Sequence, residues 1–331
     1  MPNMKITGAG MYVPERVVTN DDLAILMDTS DAWIVRRTGV RQRRYCPEGL
    51  SGADMAEKAF VGALAQAQIE KSAIEAIISA TLSPDHLSPG MASFIQDKLG
   101  LNGCAVLDIR NQCTGFLYSL AVADAWIKTG LYRTILLTGT EIHSTALDYS
   151  TRGREVTVLF GDGAGVMIAE ATDEPGRGVL ALDLHGDGKY ADALWIEASG
   201  HRFHPRVTHK MIEEPRFYPQ MHGRLVYLHA VRRMPETMQT CCAKAGVNVA
   251  DVDFWILHQA NLRINEFVCE SLGIPPEKSW NNIDKYGNTT AATLPLVLCE
   301  AQQKKLIEPG MLVGFAAFGA GFTWGALLMR W

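Results

Sequence analysis

The chain has 331 residues, of which 47% are hydrophobic and 20% charged, with a formal net charge of −5. That length supports a large core, in one big domain or two fused ones, and the mild acidity argues against a general nucleic-acid surface, which needs a concentrated basic field. No uninterrupted apolar run is long enough to span a bilayer, so membrane insertion is not expected.

The element order reads as α/β. Residues 53–68 carry Ala, Met, Phe and Leu at spacings of three and four, which predicts a helix. A short buried strand is expected over 74–80. A helix over 91–99 should end at Gly100, a natural C-cap. Residues 105–109 predict a strand, 114–129 a helix stopped by Gly130, and 134–138 a further strand. The stretches 156–160 and 164–169 read as an adjacent strand pair. The later order repeats the earlier one: helix 230–245 ending at Gly246, strand 252–257, helix 263–272 ending at Gly273, a short extended piece 279–282, helix 289–300 and strand 311–317.

The repeat also shows in the residues themselves. Ile95-Gln-Asp-Lys-Leu-Gly-Leu101 echoes Val268-Cys-Glu-Ser-Leu-Gly-Ile274, and Phe160-Gly-Asp-Gly-Ala-Gly165 echoes Phe318-Gly-Ala-Gly321. Two related halves are therefore expected, 1–175 and 224–331. They should place equivalent helix starts, one at Cys113 and one at Asn288, beside a pseudo-twofold axis. Between them, 176–223 mixes Pro, Gly, His and aromatics without a long period, and reads as an irregular covering insertion. Its His201, His204 and His209 lack an accompanying carboxylate or cysteine set, so no metal site is assigned.

Seven cysteines are present, without a Cys-x-x-Cys pair, so neither a zinc site nor a dithiol redox motif is indicated. The first residues lack the positive-then-apolar layout of a secretory signal, and a reducing cytoplasm is the expected compartment. Cys113 stands out, where a strand-like run turns into a helix-like run. Alone, it also fits a small buried apolar residue. At a helix N-terminus, free N–H groups favour a thiolate and can hold an oxyanion. His258 follows an apolar strand, where it fits either a core histidine or a group aimed at a site on the sheet's carboxyl edge. Asn288 fits a turn or N-cap, or a hydrogen-bond donor that exchanges no proton. A Cys/His/Asn set allows two chemistries. In a hydrolase, His takes a proton and Asn orients it. In a condensing enzyme, Cys holds an acyl group while His and Asn stabilise the enolate of a second, decarboxylating thioester.

The sequence resembles the ketoacyl synthase III family of the thiolase-like superfamily. The matching pieces are Thr29-Ser-Asp-Ala-Trp-Ile-Val-Arg-Arg-Thr-Gly-Val-Arg41, Gln112-Cys-Thr-Gly-Phe116, Leu159-Phe-Gly-Asp-Gly-Ala-Gly165, His258-Gln-Ala-Asn-Leu-Arg-Ile264, Tyr286-Gly-Asn-Thr289 and Phe318-Gly-Ala-Gly-Phe-Thr-Trp-Gly325. The resemblance implies a five-layer αβαβα fold, a homodimer, acyl-CoA as primer and malonyl-acyl carrier protein (ACP) as extender. No tightly bound cofactor is implied, with coenzyme A thioester as substrate. By the same resemblance, Cys113 is the acylated nucleophile, and His258 and Asn288 support decarboxylation. Phe318 lies beside the sulfur, and the Gly319–Ala320 backbone supplies a second oxyanion N–H. Trp33 stacks on adenine, Arg37 and Arg154 meet the nucleotide and its phosphates, and Asn261 lies along the pantetheine arm. Arg263 is the expected docking cation for acidic ACP.

Two departures bear on specificity. The loop 81–90 resembles one that crosses to the dimer partner and borders the acyl pocket. It offers Leu87 and Ser88 where some relatives have phenylalanine, which predicts room for a longer or unusual acyl group. The His-rich insertion fits a lid. A specialised secondary-metabolism ketosynthase or an acyltransferase is thus the alternative, while retention of Cys, His and Asn argues against a non-enzymatic paralogue.

Overall fold

The computed structural model describes residues 1–331. Two sheets organise the chain. The first runs in the order Asn3–Tyr12, Gly163–Thr172, Thr134–Glu141, Ala76–Ala80, Ala105–Ile109. The second runs Phe254–Leu257, Leu312–Gly319, Thr323–Arg330, Gly178–Gly186. Helices Gly115–Lys128 and Thr293–Gln303 lie between them. Side-chain alternation along the strands explains the layering. Ile78, Ile135 and Met167 face inward and share one core with Phe116, Leu120, Leu294, Leu298, Phe254, Ile256 and Phe315. Their neighbours Ile77, Leu136 and Ile168 face outward, onto helices Gly52–Ala67 and Met91–Leu99. On the far side, Trp255, Leu257, Ala316 and Leu328 meet helices Gly223–Lys244 and Leu262–Leu272. The result is the expected αβαβα stack. The echoed Leu-Gly pairs are helix ends, with Gly100 at φ 64° and Gly273 at φ 65°, where a side chain would be strained.

Several expectations need correction. Residues 156–160 are not a strand. Arg154–Thr157 is a short helix, and Phe160 makes one parallel bridge with Asn288. The β-branched Val156, Thr157 and Val158 gave a strand signal that tertiary context overrides. The segment 176–223 is not wholly irregular either. Gly178–Gly186 is a strand paired antiparallel with Thr323–Arg330, and the helix expected at 230 already begins at Gly223. The irregular part is thus confined to the residues between these elements. Two further strands, Asn3–Tyr12 and Thr323–Arg330, have no counterpart among the expected elements.

The two central helices begin alike, though not quite as expected. Each is preceded by a single 3₁₀ turn, Gln112–Thr114 or Thr290–Ala292. The first residue of each turn has a left-handed backbone, φ 46° at Gln112 and 47° at Thr290. Cys113 therefore corresponds to Ala291. Asn288 precedes the second turn rather than starting it.

Candidate active site

Cys113 sits on the first of these turns and is 6% exposed. The expectation of a readily ionised thiol is not met. Burial pushes its pKa up to about 12, and the nearby Glu141 adds to the rise. Two groups pull the other way: the backbone N–H groups of Ala320 and of Cys113 itself lower it. The loop carrying Ala320 can come this close because residue 319 is glycine. A Cβ there would lie 2.6 Å from the Cys113 Cβ.

His258 continues the Phe254–Leu257 strand, its backbone N–H bonded to Ala316 O at 2.9 Å. It is 2% exposed, and burial lowers its pKa to about 3, so the imidazole is neutral. Its Nδ1 lies 2.6 Å from Thr293 Oγ1, while its buried Nε2 has no protein partner. Asn288 is gripped by its backbone, with its N–H donating to Leu159 O at 2.7 Å and its carbonyl accepting from Gly161 N–H at 3.1 Å. The Leu159-Phe-Gly-Asp-Gly163 motif thus holds Asn288 in place. Gly161 lets the two segments approach, since a Cβ there would lie 2.2 Å from Tyr286 O. Asn288 Oδ1 accepts from the Thr290 N–H at 2.8 Å, which orients the amide and leaves its NH2 as the free end.

Cys113 lies where two cavities meet. A narrow one of about 80 Å³ is lined by His258, Asn288, Asn261, Phe318, Gly319 and Cys113 itself. A second, of about 440 Å³, includes Gln112, His143, Phe160, Trp195, Thr290 and Ala320 in its wall. Phe318 packs on Phe322 with centroids 4.9 Å apart. Toward the surface, two guanidinium groups lie over the Trp33 ring, Arg37 at 4.5 Å and Arg154 at 5.3 Å from its centroid. Asn261 ties this region to the narrow cavity by donating to Arg37 O at 3.1 Å.

Comparison with known proteins accords with this geometry. Residues 107–188 match the family model described as 3-oxoacyl-[acyl-carrier-protein (ACP)] synthase III, and residues 242–331 match its C-terminal model. A β-ketoacyl-[acyl-carrier-protein] synthase III of Clostridium acetobutylicum is 38% identical over 331 residues, covering 100% of this chain and 99% of that one. One from Erythrobacter litoralis is 40% identical over 328 residues, covering 98% of each. The chain belongs to the 3-oxoacyl-[acyl-carrier-protein] synthase III family. Among solved structures, the family enzyme of Aquifex aeolicus superposes with a TM-score of 0.90 at 38% identity, covering 99% of this chain and 100% of that one. The chain is therefore a thiolase-like enzyme of the condensing acyltransferase type. No helix is long and apolar enough to cross a membrane, and no cluster of His, Cys, Asp and Glu is arranged to hold a metal ion.

Within this synthase III fold, the remaining site residues fall into three groups. Trp33, Arg37, Arg154 and Asn261 gather on one side of the narrow cavity. Leu87 is 72% exposed, and neither it nor Ser88 lines either of the two cavities that meet at Cys113. Arg263 is not a free cation. Its Nη1 pairs with Glu266 at 2.7 Å, and its Nε and Nη2 donate to the Arg36 and Val35 carbonyls that end the Asp31–Thr38 helix.

Sequence reasoning missed Thr290, Thr293 and Glu141. Glu141 is buried, and it accepts from Leu82 N–H, Ser83 N–H and the Ser83 hydroxyl at the base of the 81–90 loop. The run Asn288-Thr-Thr-Ala-Ala-Thr293 held the signal for the two threonines. Hydroxyls crowded before an apolar helix point to local side-chain bonding.

Proposed function

We propose that this chain transfers the acyl group of an acyl-CoA to Cys113 and condenses it with malonyl-ACP or malonyl-CoA, releasing carbon dioxide, coenzyme A and a β-ketoacyl thioester. The observation that carries this reading is the pair of neutral, unpaired groups, His258 Nε2 and the Asn288 NH2, on the cavity that Cys113 shares. A Cys–His hydrolase needs a thiolate beside an imidazolium. Burial opposes both charges here, raising the thiol to about 12 and lowering the imidazole to about 3. Two neutral donors suit an enolate oxygen, whose charge develops only as the malonyl group loses carbon dioxide.

Thr293 supports the donor form of His258. In this reading the Thr293 hydroxyl, which donates to the Thr290 carbonyl at 2.9 Å, turns its proton to His258 Nδ1, and that carbonyl keeps its bond from the Thr293 backbone N–H. Nε2 then carries the ring proton. In the loading step, the Cys113 sulfur bonds to the primer carbonyl carbon, and the oxyanion lies on the Cys113 and Ala320 N–H groups. The bond to coenzyme A then breaks, and the thiol proton leaves with it. In the second step, the malonyl carbonyl oxygen sits between His258 and Asn288. Carbon dioxide departs, the enolate carbon attacks the acyl carbonyl, and the Cys113 sulfur is expelled.

Trp33, Arg37 and Arg154 hold the adenine and phosphates in this scheme, because an indole covers a base and guanidinium forks suit phosphate. Asn261 and Phe318 line the pantetheine path. The enzyme acts in the cytoplasm as a homodimer without a tightly bound cofactor, and Leu87 and Ser88 of one copy close the acyl cavity of the other. Docking of ACP at Arg263 exchanges Glu266 for a carrier carboxylate. The test is mass spectrometry on the protein with a panel of acyl-CoAs and malonyl-ACP. A β-ketoacyl product that disappears in Cys113→Ala is expected. Acyl transfer without carbon dioxide release would refute condensation.

A further inference from the structure

The larger cavity beside Cys113 is not a plain hydrocarbon pocket. At about 440 Å³ it falls in the range of sites that take drug-sized ligands, far more than a two-carbon acyl group fills. Leu82, Ile142, Leu147, Phe160, Leu194 and Trp195 give it apolar walls. Set among them is a buried polar pair: His143, 6% exposed, and Thr290, 1% exposed, with Nε2 and Oγ1 2.7 Å apart. The imidazole is held on three sides. Its backbone N–H donates to Asp162 at 2.7 Å, its ring packs on Phe160 with centroids 4.6 Å apart, and Thr290 fixes its Nε2. Burial lowers its pKa to about 4, so it is neutral and keeps one donor and one acceptor nitrogen. Its Nδ1 makes no protein hydrogen bond.

An imidazole nitrogen desolvated without a partner is costly, and an unadorned alkyl chain packed against it would leave it dry. A substrate carrying a neutral hydrogen-bonding group at that place would satisfy it. Thr290 also links this wall to the chemistry, because its backbone N–H orients Asn288. We propose that the preferred primer is an acyl-CoA whose acyl group bears a neutral polar substituent, a hydroxyl or keto group, and that His143 recognises it. This rests on the proposed acylation of Cys113, in which the new S–C bond forms as the bond to coenzyme A breaks and the thiol proton leaves with the coenzyme.

The experiment measures Cys113 acylation by mass spectrometry with matched pairs of acyl-CoAs. Each pair has one chain length, with and without a hydroxyl, and the hydroxyl is moved carbon by carbon along the series. At one position the hydroxylated primer should load about tenfold faster, the worth of one hydrogen bond to a desolvated partner. That ratio should fall to about one in His143→Leu. The wild-type ratio stands without any variant, so a poorly folded His143→Leu does not remove the test. A wild type that prefers the plain chain at every position overturns the inference and leaves the condensation standing. So does a ratio that survives His143→Leu. A preference for a terminal carboxylate, lost in Arg110→Ala, moves the recognition to Arg110 at the cavity rim and overturns the assignment to His143. Failure of every acyl-CoA to load overturns both readings.

Discussion

Replacing Thr293 by valine keeps the side-chain shape and removes one hydroxyl. The Thr290 carbonyl keeps its backbone partner, the Thr293 N–H, and so is not orphaned. What is lost is the 2.6 Å partner of His258 Nδ1, in a residue only 2% exposed. An unsatisfied buried polar group costs about 1–3 kcal/mol, and the imidazole escapes that cost by rotating or changing tautomer. Either escape takes the proton away from the malonyl oxygen. At one factor of ten for each 1.36 kcal/mol, malonyl decarboxylation should fall about 5- to 150-fold. Acylation of Cys113 uses other donors, the N–H groups of Cys113 and Ala320, and should change far less. Thr293→Ser restores the hydroxyl and should restore decarboxylation. The assay follows carbon dioxide release from a malonyl thioester beside acyl loading by mass spectrometry. Decarboxylation within twofold of wild type in Thr293→Val would refute the reasoning. Equal loss of both steps without rescue by serine would show a merely structural role.

Three further outcomes follow. Alkylation of Cys113 by iodoacetamide should climb steadily with pH and show no plateau between pH 7 and 9, because burial raises the thiol to about 12; a plateau near pH 7 would reveal a preformed thiolate. Gly319→Ala pushes a methyl to 2.6 Å from the Cys113 Cβ and displaces the Ala320 N–H, so the overall turnover should fall about 10²- to 10³-fold, the effect of losing one oxyanion donor; turnover near wild type would refute that placement. Trp33→Ala should raise KM for the acyl-CoA primer with little change in KM for the malonyl carrier, as read from steady-state kinetics, and equal changes in both would remove Trp33 from nucleotide binding.

The trio proposed for catalysis could be picked out of the sequence because each member stands in a short motif whose order along the chain is distinctive. The layering was legible because helix and strand periods alternate with glycine stops at Gly100 and Gly273. Other elements were hidden for physical reasons. The strand Asn3–Tyr12 carries Gly8 and Gly10, which weaken a strand signal but are needed for packing. A Cβ at Gly8 would lie 2.1 Å from Ala63 O, and one at Gly10 would lie 2.0 Å from Ala59 O. The Gly178–Gly186 strand was lost in the irregular composition around it, and only its pairing with Thr323–Arg330 defines it. The ionisation of Cys113 was misjudged because a helix N-terminus is visible in sequence, whereas the burial that outweighs it is not. Thr293 acts across a turn on a residue 35 positions away, a relation no local pattern encodes.

The matching left-handed turns at Gln112 and Thr290 have one more consequence. A single backbone bend is used twice, and only one copy carries the nucleophile; alanine occupies the corresponding place in the other. The second copy is therefore free of the sulfur's steric and electronic demands. Its backbone must still orient Asn288, but the residue-290 side chain faces the acyl cavity. In the proposed scheme, a change of side chain at residue 290 would alter the cavity wall while the backbone that orients Asn288 and the turn that carries Cys113 are both kept.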